Sequence, residues 1–391
     1  MNDEIQLEET LNNRRYYGRI IYISALILFL IITIIPTTTF PRYRNVENFV
    51  KIICYLLLSM KLIAIDRYKV KELFILLLIG SVSILAARQS GYTNLFLFSM
   101  FVMGARDVDF REINRTYFII SFIIIGLAFV ASKLGFIENL TYYRDTVKRQ
   151  SFGIIYPTDF AAHIFYLILS YCFLINRRLK AREAILFLLI AVFIDKYADA
   201  RLDVILIILT VVCFYILMSS YVQNSFQQQI RTIASFTPSV LFILSLIISY
   251  FYKPFGLLAE INDLLSGRLR LANTALQSYP IKLFGQPIQM IAFGGKEGNN
   301  LSYSAIDRSL YFYIDSSYIY ILLRYGILFT IILLILFTLK TKRTKLLSYN
   351  LIIILICGSA FVDQTLVSPA YNIFLFSIFA KLYNDPENIS N

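Results

Sequence analysis

Tryptophan is absent from the 391 residues, histidine occurs once, at His163, and cysteine occurs four times. The four cysteines lie inside apolar runs without paired spacing, so they indicate packing residues rather than disulfides or a metal cluster; they are Cys54, Cys172, Cys213 and Cys357. One histidine and no cysteine cluster argue against a zinc site. Walker spacing is also missing, which excludes a nucleotide P-loop. Tyrosine, with 28 residues, is expected to form the interfacial belts that tryptophan often supplies.

Charged residues are scarce, at 16% of the chain, whereas a soluble domain carries about 25%. Hydrophobic residues make up 58%, and the mean hydropathy is +0.66. Continuous Ile and Leu runs, without the alternation of a membrane β-barrel, predict helices. The sequence therefore predicts an all-α polytopic integral membrane protein, with a single membrane domain over residues 1–391.

Apolar runs long enough to cross a bilayer, at about 17–20 residues each, predict the transmembrane helices. They are placed at 19–35, 46–65, 72–87, 92–105, 117–135, 158–175, 183–195, 203–219, 233–252, 317–339, 346–362 and 369–383. The runs at 92–105 and 183–195 are short, which leaves 11 or 12 spans. No cleavable signal pattern precedes the first run, which is expected to act as an uncleaved anchor.

Basic residues concentrate in alternate short loops, and such loops face the cytoplasm. They are Arg14, Arg15, Arg19, Arg67, Lys69, Lys71, Arg106, Arg111, Arg115, Arg177, Arg178, Lys180, Arg182, Arg231, Lys340, Lys342, Arg343 and Lys345. The pattern places both termini in the cytoplasm and favours twelve spans. The net charge of +12 follows largely from this bias, so it does not indicate a nucleic-acid partner.

Three segments on the predicted outer side carry more charge than outer loops usually do. They are 133–157, with Arg144 and Arg149, the turn at 195–203, and the large loop at 253–316. Solvated loop charge explains such residues as well as a cationic site for a phosphate-bearing ligand does. The helices that flank the turn at 195–203 are short, so its five charges would lie below the outer surface. Arg201 is therefore predicted to line a central cavity, although a local ion-pair network is the alternative.

Asp159 and His163 are four residues apart at the predicted start of a span, after the helix-start signature Pro157-Thr158-Asp159. They share one helical face, where His163 could be a packed, hydrogen-bonded residue or a general base with Asp159 above it. Thr158 or Asp159 is expected to cap the helix.

The large loop is predicted to hold amphipathic helices over 255–280, broken at Ser266-Gly267, with Ser266 as N-cap. Arg268 and Arg270 follow at the new helix start, where free N–H groups favour an anion; snorkelling arginines on an interfacial helix are the alternative. Asp315 at the loop's end could cap the next span or accept a proton from a sugar hydroxyl. Tyr318 would lie beside it, and Arg324 would lie deep in that span, which suggests a partner or a cavity.

The arrangement resembles the Wzy-type polymerases of bacterial capsule, exopolysaccharide and O-antigen in topology over nearly the whole chain. The motifs that carry the resemblance are degenerate: Arg149, Gly153 and Pro157; Ala200-Arg201; Ser266-Gly267-Arg268; and Asp315-Ser316-Ser317-Tyr318 followed by Gly326. Thr158 stands where the family often has Asn, and Ala200 where Ser is common. Related O-antigen ligases share this architecture.

The resemblance implies metal-independent glycosyl transfer, without a cofactor, at the outer face of the bacterial cytoplasmic membrane. The substrate would be an oligosaccharide repeat unit on undecaprenyl pyrophosphate, and the protein partners would be a flippase and a chain-length regulator. Asp159, His163 and Asp315 are then the candidate catalytic residues. Substrate contacts are expected from Arg144, Arg149, Arg201, Arg268, Arg270, Tyr318 and Arg324, with Arg201 and Arg268 acting together on the pyrophosphate. A polytopic transporter or flippase of lipid-linked sugars is the alternative outside this family.

Overall fold

A computed structural model describes residues 2–144, 146–218, 224–302 and 310–382 of the chain. Its helices are α1 (Asn2–Ile34), α2 (Arg44–Ser59), α3 (Val70–Ser90), α4 (Asn94–Gly104), α5 (Phe110–Lys133), α6 (Pro157–Ile175), α7 (Ala181–Ala198), α8 (Arg201–Val212), α9 (Asn224–Tyr250), α10 (Leu257–Leu264), α11 (Arg268–Ser278), α12 (Gly295–Ser302), α13 (Ser317–Arg343) and α14 (Leu347–Val362). Short π-helical turns extend α2 over Met60–Ile65 and α8 over Cys213–Leu217, and 3₁₀ turns occur at Ile35–Thr37 and Phe374–Ile378. The protein is a helical bundle, as predicted.

Seven helices of the described chain are long and apolar enough to cross a membrane: Asn13–Thr37, Arg44–Ile65, Val70–Ser90, Phe110–Lys133, Pro157–Ile175, Phe226–Tyr250 and Ser317–Arg343. Four shorter helices, α4, α7, α8 and α14, occupy four more of the predicted spans. Many apolar side chains of the long helices remain exposed on their outer faces, among them Ile63, Phe74 and Phe122. Such a surface fits a lipid environment and confirms the membrane class.

The predicted twelfth span at 369–383 is wrong over its described part, which ends at residue 382. This segment forms turns and the 3₁₀ turn Phe374–Ile378 instead of a helix. The Asn372 side chain donates to the Leu366 carbonyl and accepts from the Phe374 amide. The segment is buried within the bundle, where irregular backbone is tolerated at membrane depth because protein groups satisfy its polar atoms.

An antiparallel hairpin departs from the purely helical expectation. Its strands are β1 (Thr141–Arg144) and β2 (Val147–Gln150), with Tyr142 opposite Arg149. The Ser151 amide and hydroxyl both donate to the Leu140 carbonyl at the base of the hairpin. This end of the bundle is called the hairpin end below.

The basic loops gather at the other end of the bundle. Arg19 pairs with Glu112 at 2.6 Å, and Lys381 pairs with Asp107 at 2.9 Å. The start of the first long span and the last described segment therefore lie at the same end. The irregular segment after α14 therefore returns the chain from the hairpin end to this end, although it is not an α-helix.

Helix α13 is interrupted at Gly326, whose φ of 88° and ψ of 167° are not helical. Residues 282–286 of the large loop enter the gap: the Gln286 amide donates to the Arg324 carbonyl, and the Ile327 amide donates to the Lys282 carbonyl. A Cβ at Gly326 would lie 2.3 Å from the Gly285 nitrogen, so only glycine permits this approach. The break fixes residues 317–325 as a separate short helix at the hairpin end.

Candidate functional site

A cavity of about 250 Å³ opens among the helix ends at the hairpin end. Its walls come from the start of α6, the start of α11, residues 313–325 around the start of α13, and the segment that follows α14. The lining residues are Tyr92, Ile155, Thr158, Asp159, Ala162, Arg268, Tyr313, Asp315, Tyr320, Tyr325, Asp363, Gln364, Thr365, Val367, Ser368 and Tyr371. Three of the predicted site residues, Asp159, Arg268 and Asp315, are thus brought together from distant parts of the sequence.

Arg268 links two of the cavity's carboxylates. Its Nη1 lies 2.8 Å from an Asp363 carboxylate oxygen, and its Nε lies 3.7 Å from an Asp315 oxygen. Nη1 also donates to the Val362 carbonyl at 3.3 Å. The guanidinium therefore holds the end of α14 against the start of α13.

The position of Arg268 follows from local sequence. Helix α11 begins there because Gly267 adopts a left-handed φ of 84°, and the apolar face of Leu269, Leu271 and Ala272 is buried. Ser266 is not the N-cap that the sequence predicted, since Gly267 takes that position. Asp315 is not a cap either: Ser316 precedes α13, and the Asp315 carboxylate turns to Arg268.

Burial dominates the acid–base properties of this cluster. It raises the pKa of the Asp315 carboxyl to about 6, against the opposing effect of the Arg268 guanidinium, while the neighbouring Asp363 adds to the rise. Burial raises the pKa of the Asp363 carboxyl too, again opposed by Arg268. Asp315 is therefore able to change its protonation state near neutral pH.

Asp159 lines the cavity from the first turn of α6. The predicted cap was wrong, because α6 begins at Pro157 with Tyr156 as N-cap and no side chain caps it. Proline suits the first helical position, since its missing N–H leaves one donor fewer to satisfy. Asp159 is consequently free of a capping role and borders the cavity beside Thr158 and Ala162.

His163 does not line the cavity. Its ring is fully buried, its Nε2 lies 2.8 Å from the Thr37 hydroxyl, and its plane stacks on Tyr371 at 4.2 Å between centroids. Tyr371 borders the cavity in its place. The structure thus favours the packed, hydrogen-bonded interpretation of this histidine over the general base.

Three arginines lie close together at the same end of the bundle, where the hairpin meets the α7–α8 turn. We call the group the arginine cluster; it consists of Arg144, Arg149 and Arg201, near Asp199. Arg144 lies 3.0 Å from the Asp199 carboxylate, and Arg201 lies 3.4 Å from it. Asp199 ends α7 with a left-handed φ of 45°. Arg201 is the most exposed member and does not line the cavity, so it does not occupy the central position that the sequence predicted.

Arg149 is the buried member of the arginine cluster, with 3% of its surface exposed. Its Nε donates to the Ala198 carbonyl at 2.8 Å, and its guanidinium lies over the Tyr156 ring at 5.6 Å. Its buried Nη2 has no hydrogen-bond partner among the described residues. Burial, reinforced by Arg144, lowers the pKa of Arg149. Arginine nevertheless remains charged, so the Arg149 guanidinium can provide a ligand with both a positive charge and a free N–H donor.

Gly153 explains the spacing of the Arg149–Gly153–Pro157 motif. Its φ is 81°, and a Cβ there would lie 2.5 Å from the Ala128 carbonyl oxygen in α5. Close packing on α5 turns the chain from the hairpin into α6, with the Gly153 carbonyl accepting from the Thr39 amide. The motif therefore sets the distance between the arginine cluster and the cavity.

Tyr156 and Ile155 join the two places. The Tyr156 ring contacts both Arg149 and Tyr142, and Ile155 lines the cavity. The Tyr142 hydroxyl donates to the Ile155 carbonyl at 2.7 Å. These contacts therefore connect the arginine cluster to the cavity lining.

The remaining predicted residues lie outside the cavity lining. Tyr318 is buried, and its hydroxyl donates to the Cys357 carbonyl, while Arg270 is exposed on α11. The Arg324 guanidinium lies over the Tyr92 and Tyr320 rings, 5.2 and 5.5 Å from their centroids, and Tyr92 and Tyr320 both line the cavity. Its Nε has no hydrogen-bond partner in the described chain. Arg324 therefore supports the tyrosine wall from behind.

Sequence reasoning missed Asp363 and Asp203. Asp363 follows α14 directly, and its carboxylate is the nearest ion-pair partner of Arg268. Asp203 was counted only among the charges of a turn, whereas it is buried, with 1% of its surface exposed, within electrostatic reach of Asp363 and Arg268. An acidic residue at the outer end of a predicted span was a usable signal for both, by the same logic that selected Asp315.

Comparison with protein families, with curated proteins and with solved structures finds no match for this chain.

Proposed function

We propose that this protein is a membrane glycosyltransferase that polymerises lipid-linked oligosaccharide repeat units, as the resemblance to Wzy-type polymerases implies. The observation that carries the proposal is the pairing of a carboxylate- and tyrosine-lined cavity with an adjacent arginine cluster at one end of the bundle. Carboxylates and aromatic rings are groups that bind sugar hydroxyls and sugar faces, while arginines bind phosphates.

The chemistry divides between the two places. The hydroxyl oxygen of the acceptor sugar attacks the anomeric carbon of the donor, and its proton passes to a cavity carboxylate. Asp315 and Asp159 are the candidate bases, because both line the cavity and His163 does not. The bond from the anomeric carbon to the pyrophosphate oxygen breaks, and the leaving pyrophosphate takes the electron pair. Arg149, with its free Nη2, together with Arg144 and Arg201, would stabilise that charge.

The hairpin end is then the outer face, with both termini in the cytoplasm of a bacterial cell. Undecaprenyl pyrophosphate would carry the sugars, and its tail would lie between apolar helices in the lipid. A flippase would supply the lipid-linked units and a chain-length regulator would limit the product. Nucleic acid has no place in this function.

Deletion of the gene followed by analysis of cell-surface polysaccharide and lipid-linked sugars tests the proposal. Loss of long chains together with accumulation of single lipid-linked units is the expected result. Unchanged polymer length would overturn it. An O-antigen-ligase-like transferase would give a different product: chains of normal length that stay on the lipid carrier and are not passed to their final acceptor.

A transporter or flippase for the same substrate is the second candidate, because α13 is broken at Gly326 beside the cavity and broken helices are common at transport sites. Purified protein in liposomes distinguishes the two. Movement of a fluorescent lipid-linked sugar across the bilayer without any new glycosidic bond would favour transport.

A further inference from the structure

The lining of the cavity carries more acidic side chains than basic ones. Asp159, Asp315 and Asp363 line it, and Arg268 is the one Lys or Arg side chain in the lining of the described cavity. Arg268 is already committed, since it pairs with Asp363 at 2.8 Å and with Asp315 at 3.7 Å. Asp159 has no ion pair within the described parts of the chain.

Asp203 does not line the cavity, but it adds a fourth carboxylate close to two of the other three. Asp203 is 1% exposed, and its Oδ1 has no hydrogen-bond partner in the described regions. It lies within electrostatic reach of Asp363, Arg268 and Asp159. Buried carboxylates without a partner are costly, so a site of this kind favours a ligand that brings positive charge.

The rest of the lining indicates what kind of cation fits. Five tyrosines border the cavity: Tyr92, Tyr313, Tyr320, Tyr325 and Tyr371. Thr158, Gln364, Thr365 and Ser368 add hydroxyl and amide groups. Tyrosine rings attract organic cations and the C–H faces of sugars; Tyr92 and Tyr320 already face the Arg324 guanidinium, and Tyr313, Tyr325 and Tyr371 do not. The polar groups suit several hydroxyls. In the described residues no three acidic, histidine or cysteine side chains are grouped so as to hold a metal ion. The ligand that fits this lining is a hydroxylated organic ammonium ion.

We propose that the sugar bound in this cavity carries a free amino group, which lies as an ammonium ion against Asp159. The proposal rests on the glycosyltransferase function and names the class of sugar that the cavity selects. An N-acetylated sugar at the same position would leave Asp159 without its counter-charge. Selection for the free amine therefore follows from the unbalanced carboxylates, whereas the hydroxyl and tyrosine contacts would be common to both sugars.

A matched pair of glycans tests the proposal. Purified protein in lipid nanodiscs is titrated by calorimetry at about pH 7, where an amine of this kind is largely protonated, with the glucosamine dimer and with its di-N-acetylated form. We expect the amine form to bind about tenfold more tightly, since a charge-assisted hydrogen bond at a buried group contributes that much. Asp159→Asn should remove the difference by weakening the amine form alone. Asp263→Asn, at an exposed position on α10, is the control and should keep the difference.

Three outcomes would overturn the amino-sugar proposal: equal binding of the two glycans, a preference for the acetylated form, or a preference that survives Asp159→Asn. Binding of neither glycan would overturn it as well. The function itself is decided separately, by chain length and lipid-linked intermediates in the deletion strain. An N-acetylated preference in a protein that still polymerises would therefore remove the amine and leave the glycosyltransferase in place.

Discussion

The cavity and the arginine cluster lie at the same end of the bundle yet have opposite charge. In the cavity, three carboxylates and one guanidinium border an open volume, and two of the carboxylates pair with that guanidinium. In the arginine cluster, the Arg144 and Arg201 guanidinium groups pair with Asp199, and Arg149 donates to the neighbouring Ala198 carbonyl. Under the proposed function, this difference in charge favours the cavity for the sugars and the arginine cluster for the phosphate.

The same difference in charge also indicates which arginines could act together on the pyrophosphate. The sequence predicted that Arg201 and Arg268 hold the pyrophosphate together, but Arg268 pairs with cavity carboxylates and Arg201 pairs with Asp199. A phosphate beside Arg268 would meet Asp363 and Asp315 as well, and like charges repel. Under the proposed function, the pyrophosphate would therefore contact chiefly Arg149 and Arg144.

The largest effect is expected from removal of the base. Asp315→Asn or Asp159→Asn should lower polymerisation by about 10²–10⁴-fold, because the acceptor hydroxyl then loses its proton acceptor. Polymer formed from lipid-linked substrate by the purified variants measures the loss. Asp263→Asn should have full activity, and the variant with the smaller loss is not the base.

The pH profile of polymerisation tests Asp315 as the base. Burial raises the pKa of Asp315 to about 6, and a base must be deprotonated to act. If Asp315 is the base, activity should be full above that pH and fall as pH decreases through it. A profile without an inflection near 6 would argue against Asp315 as the base.

Removal of Arg268 should give the next largest effect, on stability. Arg268→Ala leaves Asp363 and Asp315 close together without a cation, which should cost about 2 kcal/mol, less than the loss for a fully buried pair because the side chains remain 13–21% exposed. Thermal unfolding in detergent measures the change. Arg268→Ala combined with Asp363→Asn should be less destabilised than Arg268→Ala alone. A larger loss in the double variant would show that Arg268 stabilises the fold through other contacts.

Sequence reasoning predicted the helical bundle well, because a long apolar run in a membrane pairs its backbone polar groups by forming a helix. It failed at 369–382, where a run of similar hydropathy is buried in the protein and its polar Asn372 satisfies an irregular backbone. For the site, it found Asp159, Arg268 and Asp315 as single residues at helix ends. It could not find their grouping, since contacts such as Arg268–Asp363 join residues 95 positions apart in a chain without spacing rules between helices.

Substitution of Arg149 tests whether the arginine cluster binds the phosphate. Arg149→Lys keeps the charge but loses the donor geometry that reaches the Ala198 carbonyl and leaves Nη2 free, so polymerisation should fall by about tenfold. Steady-state kinetics with lipid-linked substrate should show the loss, while binding of the free glucosamine dimer in the cavity stays unchanged. An equal loss of polymerisation and of glucosamine-dimer binding would mean that Arg149 shapes the cavity rather than binding the phosphate.

The smallest effect on folding is expected from Arg201. Its side chain is 66% exposed, and its ion pair with Asp199 spans 3.4 Å, so Arg201→Ala should change stability by less than about 1 kcal/mol. Arg144 pairs with the same carboxylate at 3.0 Å from a less exposed position, so Asp199 keeps a partner when Arg201 is removed. Thermal unfolding compares Arg201→Ala with Arg144→Ala, which should be the more destabilised of the two.

The activity of Arg201→Ala tests whether this residue binds the phosphate. If Arg201 contacts the pyrophosphate, Arg201→Ala should lose polymerisation although its fold is intact. Full activity would leave Arg201 as a solvated partner of Asp199, and the phosphate would depend on Arg144 and Arg149 alone.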